Sequence, residues 1–403
     1  MPVQRARLWQ YADRPPSRHP IAPLYHVKAQ STLEAGTALL AFSVGEASSM
    51  LLVLSRDSEP VAFPLAVNAG GLLVKVQNLV EDLYNGRSDL GASGLRLRRA
   101  QSRARQLYDL LIRPAEALLR DAERWVILPD AALHSLPFAA LVETPPGVRV
   151  RYLLESKPLS FAQSTTQLLV LRQHVRATTT RRLAAFGDPA YDRSGAENEL
   201  VPAFRSLRDL AALRSLPGSR REVNAIAELF DDSRTFLGEQ ASEQALRSLG
   251  PIDYLHLACH GFANRESPFD SSIALAANRK SLSASGNGFL HAWEIMQDFE
   301  LESQLVVLSA CNTAAGRAMG GEGVVGLVRA FQAAGAKSVL APLWTIQDDR
   351  APDLMIDFYT RLKEGLPKAE ALREAQLSML RRDSREETPP YFWAGFQLFG
   401  DHR

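Results

Sequence analysis

Residues 252–266 read IDYLHLACHGFANRE. The apolar run follows Gly250-Pro251, stops at Gly261 and is only about eight residues long. That length and punctuation fit a buried strand better than a helix. Within it, His256, Cys259 and His260 fall in five positions, which raises the question of a metal site. On a helix, the two histidines would share a face as in zincins, but that motif needs a glutamate where Leu257 stands. In a strand, four residues span roughly 13 Å, so the histidines cannot share one ion, and Cys259 faces the other way. No metal site is expected, and His256 and Cys259 read as members of a buried strand.

The neighbouring segments alternate in kind. Upstream lie RLAAFGDP (182–189), a strand, and SRREVNAIAELF (219–230), an amphipathic helix. The helix opens with Ser219 and Glu222 at capping-box spacing. SEQALRSL (242–249) is a second helix. Downstream come LHAWEIMQ (290–297), a helix, LVVLSAC (305–311), a strand, EGVVGLVRAFQAAG (322–335), a helix, and SVLAPLW (338–344), a strand. Amphipathic helices follow around 349–363 and 368–382. Such alternation specifies an α/β fold with a parallel-dominated sheet flanked by helices.

The first half is patterned differently. GTALLAFSV (36–44), MLLVLSR (50–56) and PVAFPLA (60–66) read as an antiparallel meander, followed by helical periodicity over 73–84 and 95–121. RWVILPD (124–130) is a buried strand, and LHSLPFAALV (133–142) a further apolar segment. The expected division is a tail at 1–30, a strand-rich and helical region at 31–175, and a main α/β domain at 176–403.

Composition narrows the function classes. The chain has 403 residues, formal net charge +1 and two cysteines, Cys259 and Cys311. A near-neutral balance gives no basic surface for nucleic acid or anionic membrane. The arginines at 96, 98, 99, 103 and 105 have no interleaved aromatics and read as a solvated helix face. So few cysteines argue against a disulfide scaffold and for a reducing cytoplasm. No run approaches the ~18 apolar residues of a membrane span, and the N-terminus lacks a signal-peptide core.

Chemistry is expected at strand ends. In open α/β sheets the sites lie at the C-terminal edges of strands. His260 and Cys311 each end a strand, and the connection of about forty-four residues between them includes a crossover helix. Adjacent strands lie ~4.8 Å apart, so imidazole and thiol come within reach. A free thiol of pKa ~8.5 is mostly protonated at neutral pH, and a nearby histidine raises its thiolate fraction. The N–H groups of Gly261 and Cys311 are candidate oxyanion donors. A lone cysteine is otherwise a small buried hydrophobe, and His134 reads as structural.

With those residues in view, DYLHLACHG, LVVLSACNT, GGEGVVGLVRAFQAAGAKSVLAPLWTIQDD, AEALREAQLSML and WAGFQLFGD resemble the CHAT family of caspase-like cysteine peptidases, related to separase and more distantly to caspases, gingipains and legumain. GTALLAFSV, VILPDAALHSLPFAAL and LAAFGDP extend the resemblance, more diffusely, to about residue 30. It implies a caspase-like fold, with 31–175 a pseudo-caspase-like layer. His260 would be the catalytic base and Cys311 the nucleophile, without an orienting acid and with no cofactor. It implies substrate binding by Asp348, where separases bind a basic P1 side chain, and by Glu322 of the GEG pattern. Asp348 also reads as a helix N-cap, and Glu322 as an acid stabilised at a helix N-terminus. The implied setting is bacterial and cytoplasmic, with a specific protein substrate such as a pore-forming or toxin-like effector, and an activating or regulatory protein. The context SACNT differs from the QACxG of caspases, so aspartate specificity does not follow. No tetratricopeptide repeat is visible.

Two readings compete. One is a catalytically silent caspase-like interaction module. The other is a dinucleotide-binding enzyme, because residues 321–326 (GEGVVG) match GxGxxG at a helix start. In that fold the strand runs directly into the first glycine, whereas CNTAAGRAMG intervenes here.

Overall fold

The computed structural model describes residues 30, 33–86, 94–173, 181–191, 213–264, 266–276, 287–309, 321–382 and 388–403, the side chains of 321–323 excepted. Cys311 and residues 1–29 of the tail expected at 1–30 lie outside the described residues, as does the Glu322 side chain.

The strands are β1 (Thr37–Val44), β2 (Ser49–Ser55), β3 (Val61–Leu65), β4 (Arg124–Leu128), β5 (Leu159–Phe161), β6 (Leu183–Pro189), β7 (Ser233–Gly238), β8 (Tyr254–Ala258), β9 (Gly261–Phe262), β10 (Ser272–Ala274), β11 (Phe289–His291), β12 (Leu305–Leu308), β13 (Ser338–Pro342) and β14 (Phe396–Gly400). Among the described residues they form one large sheet, ordered β3-β2-β1-β4-β5-β14-β13-β12-β8-β6-β7, and a small sheet, β11-β10-β9. The meander β1–β3 is antiparallel, as its short apolar runs and turns dictate. From β6 to β13 every neighbouring pair is parallel. Strand β14 enters between β13 and β5, antiparallel to the first with five residue pairs and parallel to the second. The sheet is therefore continuous from the first half of the chain to the second.

Among the described residues, helices longer than six residues are α1 (Ala69–Asn85), α2 (Leu95–Leu111), α3 (Thr165–Gln173), α4 (Pro217–Ala227), α5 (Ala292–Asp298), α6 (Gly321–Ala333), α7 (Ala351–Lys363) and α8 (Lys368–Leu380). The periodic stretch over 95–121 is interrupted after Leu111, because Pro114 cannot continue the ladder. The parallel strands are covered on both faces, so β8 and β12 are fully buried along their length, as unbroken apolar strands must be.

One core runs through both halves. Tyr152 meets Trp393 edge-on at 5.0 Å, and Phe161 lies 5.6 Å from Phe399. The arginines of α2 serve the protein itself. Arg99 and Arg103 both pair with the buried Asp82 of α1, and Arg105 pairs with Asp109 and donates to the Glu143 carbonyl. Gly326, in the GxGxxG run, has a packing role. A Cβ there would lie 2.1 Å from the Pro268 carbonyl oxygen, so glycine is what lets the 268–270 turn sit against α6. No described helix is long and apolar enough to cross a membrane.

Candidate active site

Strands β8 and β12 are parallel neighbours, paired from Leu305 with Tyr254 to Leu308 with Leu257. The pairing extends one step further, where the Ser309 N–H donates to the Leu257 carbonyl at 3.0 Å. His260 follows Leu257 by three positions, and Cys311 follows Leu308 by three. The sequence expectation of two adjacent parallel strands leading to these residues thus holds. His260 is not itself in the parallel ladder, since β8 ends at Ala258 and the chain bends there into the small sheet.

That bend arranges the backbone. The Ala274 N–H donates to the His260 carbonyl at 2.8 Å, which makes His260 and Ala274 a hydrogen-bonded pair. Pairs alternate in an antiparallel ladder, so Gly261 and Ile273 form the non-hydrogen-bonded pair. The Gly261 N–H is consequently directed away from β10.

His260 is 1% exposed. Its Nε2 lies 2.8 Å from the backbone carbonyl oxygen of Arg214. A carbonyl only accepts, so Nε2 carries the proton and Nδ1 keeps its lone pair. Nδ1 has no hydrogen-bond partner among the described residues. Burial pulls the imidazole pKa below its ordinary value, while the Arg214 carbonyl and the Asp348 charge act in the opposite sense. The result is a neutral ring with one nitrogen fixed and the other available as a base. The Tyr191 ring lies 5.3 Å away, and its hydroxyl accepts from the His260 backbone N–H at 3.5 Å.

The other residues of the opening stretch are inert by placement. Cys259 is buried, with its sulfur 3.9 Å from the Phe186 carbonyl. His256 is fully buried, with Nε2 3.0 Å from Glu222 Oε1 and Nδ1 3.3 Å from the Tyr359 hydroxyl. Glu222 also accepts a hydrogen bond from Ser309. The capping box expected of Ser219 and Glu222 does not form. Helix α4 begins at Pro217, three residues earlier than the box requires, so Glu222 lies inside the helix and faces the sheet. Among the described residues, no group of three His, Cys, Asp or Glu side chains could hold a metal ion.

Asp348 does cap a helix, but not the one that follows it. Its Oδ2 accepts from the Gly218 N–H at 2.6 Å and its Oδ1 from the Ser219 N–H at 2.9 Å, at the start of α4. These donors are two of those a helix N-terminus leaves unpaired. A Cβ at Gly218 would lie 1.8 Å from the Asp348 carbonyl oxygen, so only glycine permits the approach. Burial raises the Asp348 pKa, against the two backbone bonds.

Sequence reasoning missed what holds Arg214. Asp188, at the end of β6, adopts a left-handed φ of 43°. Its Oδ1 accepts from the Leu216 N–H and its Oδ2 from Arg220 Nε, both at 2.9 Å. Its own N–H donates to Ser219 Oγ at 2.8 Å, and that hydroxyl donates to the Leu216 carbonyl at 2.8 Å. The one visible signal was Gly-Asp-Pro closing an apolar strand.

The family model described as CHAT domain matches residues 101–401. The chain belongs to the CHAT family. Curated relatives include tetratricopeptide repeat protein 28 of Mus musculus, 26% identical over 400 residues, and that of Homo sapiens, 24% identical over 395. Each match covers 86% of this chain but 15% of the relative, so the chain spans a small fraction of those proteins. Among solved structures, the separase–securin complex of Saccharomyces cerevisiae superposes with a TM-score of 0.53 at 10% identity, covering 93% of this chain and 31% of that one. At that identity the likeness is one of fold, and it marks this CHAT chain as caspase-like, as the sequence resemblance implied.

Proposed function

We propose that this CHAT protein is a cysteine endopeptidase in which Cys311 is the nucleophile and His260 the base. The observation that carries the reading is the His260 imidazole, buried and neutral, with Nε2 held by a carbonyl and Nδ1 free among the described residues. It stands in the bend just after β8, the strand paired in parallel with the one that precedes Cys311.

In the proposed reaction Nδ1 takes the Cys311 thiol proton, and the thiolate attacks the scissile carbonyl. The Gly261 and Cys311 N–H groups receive the oxyanion. The carbon–nitrogen bond breaks as the imidazolium returns its proton to the leaving amine, giving a thioester. Water, deprotonated by Nδ1, then hydrolyses the thioester and restores the thiol. Asp348 and Glu322 are the proposed substrate-binding acids. Each Asp348 oxygen accepts one backbone N–H, and a carboxylate offers about four lone-pair positions, so capacity remains for a basic P1 side chain. By family analogy the substrate is one specific cytoplasmic protein, such as a pore-forming effector, cleaved in a regulated or defensive setting.

A second reading, an interaction module without catalysis, is favoured by the repeat-protein name of the curated relatives. Fluorogenic peptides ending in Arg, Lys, Leu or Asp separate the two. The peptidase reading requires turnover that Cys311→Ala abolishes without changing the circular dichroism. Equal turnover by the alanine variant refutes Cys311 as the nucleophile, and none by the wild type on these peptides and on candidate protein substrates supports the module.

A further inference from the structure

The carbonyl that orients His260 belongs to an exposed residue in a segment without regular structure, 213–216, just before α4. Such a segment holds a carbonyl in place only if its own backbone groups are tied down. They are tied from the end of β6. The Asp188 carboxylate receives the Leu216 N–H, the Asp188 N–H meets Ser219 Oγ, and the Ser219 hydroxyl returns to the Leu216 carbonyl. These three bonds close a ring that fixes the peptide two residues beyond Arg214.

Asp188 adopts a backbone conformation that costs a non-glycine residue free energy, and aspartate and asparagine tolerate it because their short side chains bond locally. Strain of this kind persists where surrounding bonds over-determine it. Gly187 adds to the constraint, since a Cβ there would lie 2.7 Å from Val223 and 3.0 Å from the Ser219 carbonyl oxygen. Strand β6 and helix α4 are thus pressed together beside the ring.

We propose that Asp188 is a positioning residue: through Leu216 and Ser219 it holds the Arg214 carbonyl against His260 Nε2 and so sets the state of the base. This deepens the peptidase reading and rests on it for the kinetic readout alone. The groups that face His260 are Asp348 from the segment after β13, Tyr191 after β6 and the Arg214 backbone. The charge of Asp188 is not among the causes that move its titration. The charge of Asp188 does act on Asp348, whose charge acts on His260, and Asp188→Asn separates that route from the ring.

Three variants test this. Asp188→Gly keeps the left-handed backbone and removes the acceptor. Asp188→Asn keeps both the backbone and an Oδ1 acceptor but removes the charge. Ser219→Ala opens the ring from the other side. The first readout is the His260 imidazole followed by nitrogen-15 NMR across pH, which does not depend on activity. Losing the carbonyl acceptor weakens the imidazolium, so in the glycine and alanine variants His260 titrates at lower pH, and in the asparagine variant it returns to the wild-type position. The second readout is kcat/KM on the best peptide, expected to fall about tenfold to a hundredfold with KM little changed in the first two variants and to recover in Asp188→Asn. A purely structural role predicts lower melting temperatures with His260 titrating alike in all folded variants, which would overturn the proposal. So would a shift in Asp188→Asn equal to that in Asp188→Gly, since charge alone would then explain it. A wild type without peptidase activity refutes the enzymatic reading, while the NMR titration still decides on Asp188.

Discussion

The backbone carbonyl of Arg214 accepts the Nε2–H of His260 at 2.8 Å, and this contact across 46 positions of sequence fixes which nitrogen is basic. It also makes the histidine's environment a property of the segment before α4. Most consequences for activity and stability follow from that segment and its anchors.

The pH dependence follows from burial. Because burial lowers the His260 pKa, the base stays neutral below the ordinary histidine value of about 6.5. The acid limb of kcat/KM is expected below pH 6.5. The folded state binds this proton less readily than the unfolded state, so His260 costs no stability above about pH 6.5, and stability is lost as pH falls through its folded value. Urea unfolding at stepped pH checks the sign. An acid limb well above 6.5 contradicts the account.

Removing the Asp348 carboxylate uncaps α4. Asp348→Ala is expected to cost about 1 kcal/mol, the usual worth of an N-cap, and Asp348→Asn less because one acceptor remains. Asp348→Lys tests the P1 proposal, with loss confined to substrates ending in Arg or Lys. Equal loss on leucine and aspartate substrates would assign the residue to the cap alone.

Glu222 holds His256 and Ser309 from one buried position. Glu222→Ala leaves those buried polar partners without their acceptor and is expected to destabilise by about 1–3 kcal/mol, the cost of an unsatisfied buried polar group. A denaturant midpoint unchanged from wild type would refute the network.

Much of the fold was legible in sequence. Strand β8 was plain because a short apolar run bounded by Gly-Pro and Gly admits few alternatives, and β12 because its apolar run is equally short. The position of β14 was not, since FQLFG carries no sign that it enters the sheet between β5 and β13, parallel to the first and antiparallel to the second. Ser219 and Glu222 misled because S-x-x-E matches a local rule while Pro217 had already begun the helix. Arg214 was invisible in principle, as its contribution is a backbone carbonyl that any residue supplies. Asp188 was half legible, because Gly-Asp-Pro after a strand invites a left-handed residue.

Glycine substitutions separate packing from cofactor binding. Gly326→Ala is expected to destabilise by about 1–3 kcal/mol through overpacking against Pro268. The melting temperature of the wild type is expected to be indifferent to NAD and to EDTA. Stabilisation by NAD would revive the dinucleotide reading, and loss of activity in EDTA would reopen the metal question.

The most direct measurement is the intact mass of the protein after reaction with a peptidyl acyloxymethyl ketone. The account predicts a single adduct on Cys311, none on Cys259, and formation slowed about a hundredfold or more in His260→Ala, the usual scale of general-base assistance. Labelling at the same rate without His260, or on Cys259 instead, would contradict it.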